Sequence, residues 1–178
     1  LTLAGVLYTV WGVLLQKYNN SDDVIFGTTV AGRTPQVNGI DSTVGLFINT
    51  LPLRFRGTGD MTGLDACRLV GGHLEERTQF EHAGLTSIKK FTGIGKDNNL
   101  FDSIFVIDNY PLDTLLNLEG ALRITAYSLF EMTNFDLTVQ VIPGDDLRVS
   151  FHYNPDVFDP HTVERMSRHF SNLLDALV

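Results

Sequence analysis

Residues 24–55 read VIFGTTVAGRTPQVNGIDSTVGLFINTLPLRF. Two apolar runs, DVIFGTTV and VGLFINTLPLRF, have the β-branched content of buried strands. The polar segment between them carries Gly32, Arg33, Pro35 and Gly39. A loop tied to strands at both ends admits two readings. It is a plain strand-to-strand connection made of turn residues, or it is a fixed wall whose glycines let the backbone approach a ligand. Pro52 falls inside the second run and cannot donate to a ladder, which places it at an irregularity or on a sheet edge.

Upstream, Leu3, Leu7, Val10 and Leu14 share one helical face, widened by Trp11, Leu15 and Tyr18. This predicts a mostly buried amphipathic helix. It is shorter than the ~20 residues a membrane span requires, and it has neither a basic leader nor a small-residue cleavage site. A chain that starts at Leu1 within this helix reads as part of a longer polypeptide. Downstream, TGDMTGLDACRLVGGHLEERTQF predicts a helix started by Asp60 or Thr62, and Leu85 to Phe91 a further short helical turn. LFDSIFVIDNYPL is a strand ended by Pro111, and ALRITAYSLF is another. Phe135, Leu137, Val139 and Val141 alternate with polar residues, as do Leu147, Val149, Phe151 and Tyr153 after the turn PGDD, which predicts an antiparallel hairpin. Asp159 as N-cap and Pro160 at the first position open a closing helix with Val163, Met166, Phe170, Leu173, Leu174 and Leu177 inward. The whole chain, 1–178, reads as one α/β unit: a mixed, largely antiparallel sheet of about six strands flanked by three principal helices.

With 13 basic against 21 acidic residues the net charge is −8, which argues against nucleic acid or an anionic membrane surface as partner. The lone Cys67 reads as a small buried hydrophobe, in keeping with a reducing, cytoplasmic setting. The five histidines (73, 82, 152, 161 and 169) are scattered, so no metal set is predicted. His152 alternates outward on its strand and reads as an ordinary exposed residue. No G-x-S-x-G, Walker or G-x-G-x-x-G motif is present, and TGIGKD is a turn. The acidic pairs at 22–23, 75–76 and 145–146 fall at turns or polar faces. These residues alone assemble no complete active site.

Four phrases in series are more specific. WGVLLQKYNNSDDVIFGTTVAGR, VGLFINTLPLRF, LFDSIFVIDNYP and LRVSFHYNPDVFDPHTVERMSRHFSNLL span nearly the whole chain. In order and spacing they resemble the C-terminal half of the condensation domains of nonribosomal peptide synthetases. The resemblance implies one chloramphenicol acetyltransferase-like lobe of a two-lobed domain, with the N-terminal lobe absent. It also implies an amide-forming reaction between a donor acyl or peptidyl thioester and an acceptor aminoacyl thioester. Both substrates ride on phosphopantetheine arms of donor and acceptor peptidyl carrier proteins, next to an adenylation domain; no cofactor is bound directly. The family's HHxxxDG motif belongs to the missing lobe. No adjacent His-His pair occurs here, so no catalytic residue is assigned and the fragment is expected to be inactive alone.

By the same resemblance, Ala31, Gly32, Arg33, Asn49, Asn109 and Tyr110 floor and line the substrate tunnel. Arg33 would meet a carboxylate across the lobe junction, a phosphopantetheine phosphate or a local acid. Asn49 would touch substrate or satisfy backbone at a strand irregularity. Ala31 stands where relatives often carry Ser, which puts a hydroxyl contact there in doubt, and Asp108 replaces the usual Glu. Ser128, Phe130, Thr133 and Asn134 fall in the latch that crosses to the other lobe, and residues 128–136 are expected to be mobile or rearranged without it. Asn109-Tyr110-Pro111 favours condensation over an epimerization lobe. A non-catalytic module that binds a carrier protein or the other lobe is the alternative, ahead of a coenzyme A-dependent acyltransferase lobe.

Overall fold

The computed structural model describes residues 1–33, 38–57, 59–95, 98–108, 133–144 and 146–178. Helix α1 (Leu3–Asn19) begins where the Thr2 hydroxyl accepts the Gly5 N–H, and it stops at Asn20, which takes a left-handed conformation with φ +47°. Of the two candidates for the start of α2 (Gly63–Arg77), Thr62 is the cap, accepting the Asp65 N–H. Helix α3 (Leu85–Thr92) ends at Gly93 in a left-handed conformation. In α4 (Pro160–Leu177) Asp159 accepts from the N–H groups of His161 and Thr162, and Pro160 needs no N–H partner at the first position. No helix among the described residues is long and apolar enough to cross a membrane.

The strands are β1 (Asp23–Val30), β2 (Asn49–Arg56), β3 (Ser103–Ile107), β4 (Leu137–Ile142) and β5 (Arg148–Tyr153), in spatial order β2-β1-β3-β4-β5. The two flanking pairs are antiparallel and the two central pairs, β1–β3 and β3–β4, are parallel. The sheet is therefore mixed. The strand expected over residues 121–130 lies outside the described residues. Pro52 sits on the edge strand β2 opposite Gly27, where its missing N–H costs no interior ladder bond. The second apolar run is strand only from Asn49 onward. β1 ends at Val30, the partner of Asn49, so the residues before Asn49 have no strand to pair with.

Helices α1, α2 and α4 cover one face of the sheet. Alternation along β3 sends Phe105 into this layer, and it is fully buried. Its ring packs on Tyr8, Trp11 and Phe170 with centroids 5.4, 6.0 and 5.9 Å apart. Cys67 is buried in α2. On the opposite face, the Phe101 ring lies on Gly27 so closely that a Cβ there would collide with it, and Phe101 stacks on Phe135 at 5.3 Å.

Phe105→Ala should lower unfolding stability by about 3–5 kcal/mol, seen as a lower urea midpoint. Phe91→Ala should stay within about 0.5 kcal/mol, because Phe91 is 91% exposed.

Candidate functional site

Three strands bring the sequence-predicted residues to one end of the sheet. β1 and β3 run parallel, with Gly27 beside Ile104 and Thr28 beside Phe105, and β2 pairs Asn49 with Val30. Ala31, Gly32 and Arg33 leave β1 at this end, Asn49 enters β2 there, and Asp108 follows β3. Asn109 and Tyr110 come next in the chain and lie outside the described residues, as do Ser128 and Phe130.

Gly32 has φ +63°, and a Cβ at this position would collide with the carbonyl oxygen of Phe47. Only glycine satisfies both conditions without a shift. Arg33 closes the same contact. Its Nη1 donates to the carbonyls of Ile40 and Thr43, the latter at 3.1 Å, and its guanidinium carbon lies 4.6 Å from the Phe47 ring centroid. Among the described residues Arg33 makes no salt bridge, and the local partners expected to be acidic are carbonyls and an aromatic face. Asn49 Nδ2 donates to the carbonyls of Glu81 and Ala83, each at 2.9 Å, and its Oδ1 accepts the Thr50 N–H. Its amide joins β2 to the connection between α2 and α3. Ala31 is exposed.

Thr133 and Asn134 precede β4 at the opposite end of the sheet. The Thr133 hydroxyl lies 2.6 Å from that of Thr138 and accepts the Phe135 N–H; Asn134 is exposed. The Asp136 carbonyl accepts the Asn154 N–H, and the Asp136 carboxylate accepts from the Asn154 amide at 3.0 Å. Residues 133–136 are thus tied to their own sheet. The hydrogen bonds to Thr138 and Asn154 and the stack on Phe101 are all internal to this chain. Residues 128–132 lie outside the described set.

Two polar groupings have no signature in the sequence. Arg77, at the end of α2, donates through Nη1 to the Thr28 hydroxyl, which itself donates to the Leu51 carbonyl at 3.1 Å. Tyr8 lies beside it; burial raises its hydroxyl above the ordinary tyrosine value, and Arg77 partly offsets the rise. The second grouping is a row on the sheet face opposite α1, α2 and α4. Asp108 is buried and accepts from Gln140 Nε2 at 2.6 Å, and His152 Nε2 lies 3.1 Å from Gln140 Oε1. His152 is half-buried and engaged, not the plain exposed residue expected from alternation. Among the described residues no cluster of three or more His, Cys, Asp or Glu is arranged to hold a metal ion.

The sequence profile of the condensation domain family matches residues 1–178. The chain belongs to the condensation domain family. It is 39% identical to tyrocidine synthase 2 of Brevibacillus parabrevis over 99% of this chain and 5% of that protein. With surfactin synthase subunit 2 of Bacillus subtilis (strain 168) it shares 38% identity over 95% of this chain and 5% of that protein. It thus spans only about a twentieth of the length of these relatives. Among solved structures, a four-domain nonribosomal peptide synthetase bound to AMP and glycine matches with a TM-score of 0.84 at 19% identity, over 99% of this chain and 15% of that one. The starter condensation domain of rhizomide synthetase matches at 0.71 and 18%, over 98% of this chain and 41% of that one. These likenesses are of fold, and the mixed sheet with its helix layer is the chloramphenicol acetyltransferase-like architecture of condensation domains.

Gly32→Ala should cost about 1–3 kcal/mol from backbone strain alone and speed amide exchange across residues 43–48. Tyr8 sets an alkaline limit. An unfolded tyrosine loses its proton near pH ~10 while folded Tyr8 keeps it, so the folded state binds more protons there. Stability should therefore fall as pH rises from about 10 toward the higher folded value. Tyr8→Phe should flatten that fall in urea titrations across this range.

Proposed function

We propose that this condensation-domain chain is a C-terminal lobe and supplies one wall of a two-walled channel for amide formation. In that reaction the acceptor amine nitrogen attacks the donor thioester carbonyl. The new C–N bond forms, the C–S bond breaks, and the donor arm leaves as a thiol with the proton shed by nitrogen. Both acyl groups would arrive on phosphopantetheine arms of carrier proteins within a larger synthetase that includes an adenylation domain. The reactive imidazole of the HHxxxDG motif would come from the companion N-terminal lobe, since this chain holds no adjacent His-His pair.

The supporting observation is the segment that leads into the converging strand ends. Val44, Leu46 and Ile48 are 99%, 105% and 68% exposed, while Phe47 between them is held by Arg33 and the following Asn49 by the Glu81 and Ala83 carbonyls. A locked backbone that presents three large apolar side chains to water in a row is a surface built to be covered. In this reading the companion lobe covers it, and the loop from Ala31 to Asn49 floors the channel. Fixing such a floor has catalytic value, because misplacement of ~1 Å can cost about 100-fold in rate.

The test combines the chain with an isolated companion lobe and two loaded carrier proteins. Peptide appearing on the acceptor carrier only when both lobes are present supports the proposal. Binding without peptide favours a non-catalytic interaction module, and peptide formed by this chain alone overturns the assignment of the imidazole to the other lobe. Leu46→Asp should weaken association of the lobes at least about tenfold, as expected for an anchor at an interface centre, and leave the urea midpoint of the chain alone unchanged.

A further inference from the structure

The row formed by Asp108, Gln140 and His152 crosses three strands diagonally. Val106 pairs with Gln140, so Asp108 lies two residues beyond on β3's exit. Gln140 pairs with Ser150, so His152 lies two residues along β5. Pairs offset in this way are within reach of long side chains. Each link has a fixed polarity. An ionised carboxylate only accepts hydrogen bonds, so the Gln140 amide must turn its NH₂ toward Asp108, as the 2.6 Å contact has it. The amide oxygen is then the only atom left to face His152, 3.1 Å from Nε2. An oxygen acceptor requires a proton on that nitrogen, so the neutral ring must be protonated at Nε2 with its lone pair on Nδ1.

His152 Nδ1 has no hydrogen-bond partner among the described residues. The side chain lines a groove of about 530 Å³ shared with Thr138, Asn134, Asp136 and Asn154. We propose that Asp108 and Gln140 are positioning residues that hold His152 as the Nε2–H imidazole, keeping the Nδ1 lone pair unprotonated beside this groove. The carboxylate sets the amide, the amide sets the ring, and the ring keeps one directed lone pair on the sheet face opposite α1, α2 and α4. The inference stands on these contacts and goes beyond the channel reading, which assigns His152 nothing.

Long-range proton–nitrogen NMR spectra of the ¹⁵N-labelled chain, recorded where its histidines are neutral, test it directly. The expected result is a single Nε2–H tautomer at His152. A mixture of tautomers, or a proton on Nδ1, overturns the proposal. Asp108→Asn can both donate and accept, so it should let the Gln140 amide turn over and populate the Nδ1–H form. Gln140→Met removes the connection, and in that background Asp108→Asn should leave the His152 ring unchanged. An Asp108 effect that persists without Gln140, or is absent with it, also overturns the proposal. The tautomer of the unaltered chain decides the matter even where a variant fails to fold.

Discussion

β1 and β3 run in the same direction, and the chain between them makes a return antiparallel strand and two helices before it re-enters the sheet. Parallel neighbours deliver their C-terminal ends to one edge, and open α/β sheets characteristically place ligands at such ends. Here that geometry puts the exit of β1, the entry of β2 and the exit of β3 side by side. The helix layer makes the arrangement rigid: Tyr8, Trp11, Phe105, Phe151 and Phe170 form one contiguous aromatic cluster behind the central strands. Arg77 adds a polar fastening to the centre of β1, close below the residues that leave it.

The edges of the sheet are treated differently from the end where these strands converge. β2 is open on one side, and Pro52 with the charged Arg54 and Arg56 discourages pairing with another strand. Asp23 accepts two hydrogen bonds from Arg54, and that contact, with the nearby Arg56, holds its carboxyl below the ordinary aspartate value. Both partners are exposed to solvent, so the pair says more about edge specificity than about stability.

Local chemistry was legible in the sequence. The caps Thr62 and Asp159, the proline at the start of α4 and the β4–β5 hairpin with its apolar alternation all rest on neighbours a few residues away. The four phrases carried the family. The errors arose where long-range partners decide the outcome. The run from Val44 reads as buried strand because its residues are apolar, yet the ladder begins only where β1 offers a partner, and Val44, Leu46 and Ile48 face water. His152 alternates outward as expected, but its engagement depends on a glutamine on β4 and an aspartate beyond β3, which no spacing rule connects. Asn49 finds its carbonyls more than thirty residues downstream, and Arg77 reaches back 49 residues to Thr28.

The clamp of Gly32, Arg33 and Phe47 has a thermodynamic consequence. A floppy tongue loses conformational freedom when it docks, and that loss subtracts from affinity. The described residues of this segment are held within the fold, by the Arg33 Nη1 contacts to the Ile40 and Thr43 carbonyls and by the close crossing of Gly32 on Phe47. The companion lobe of the proposed channel would therefore meet a preformed shape, with apolar dehydration as the main gain and little induced ordering to oppose it.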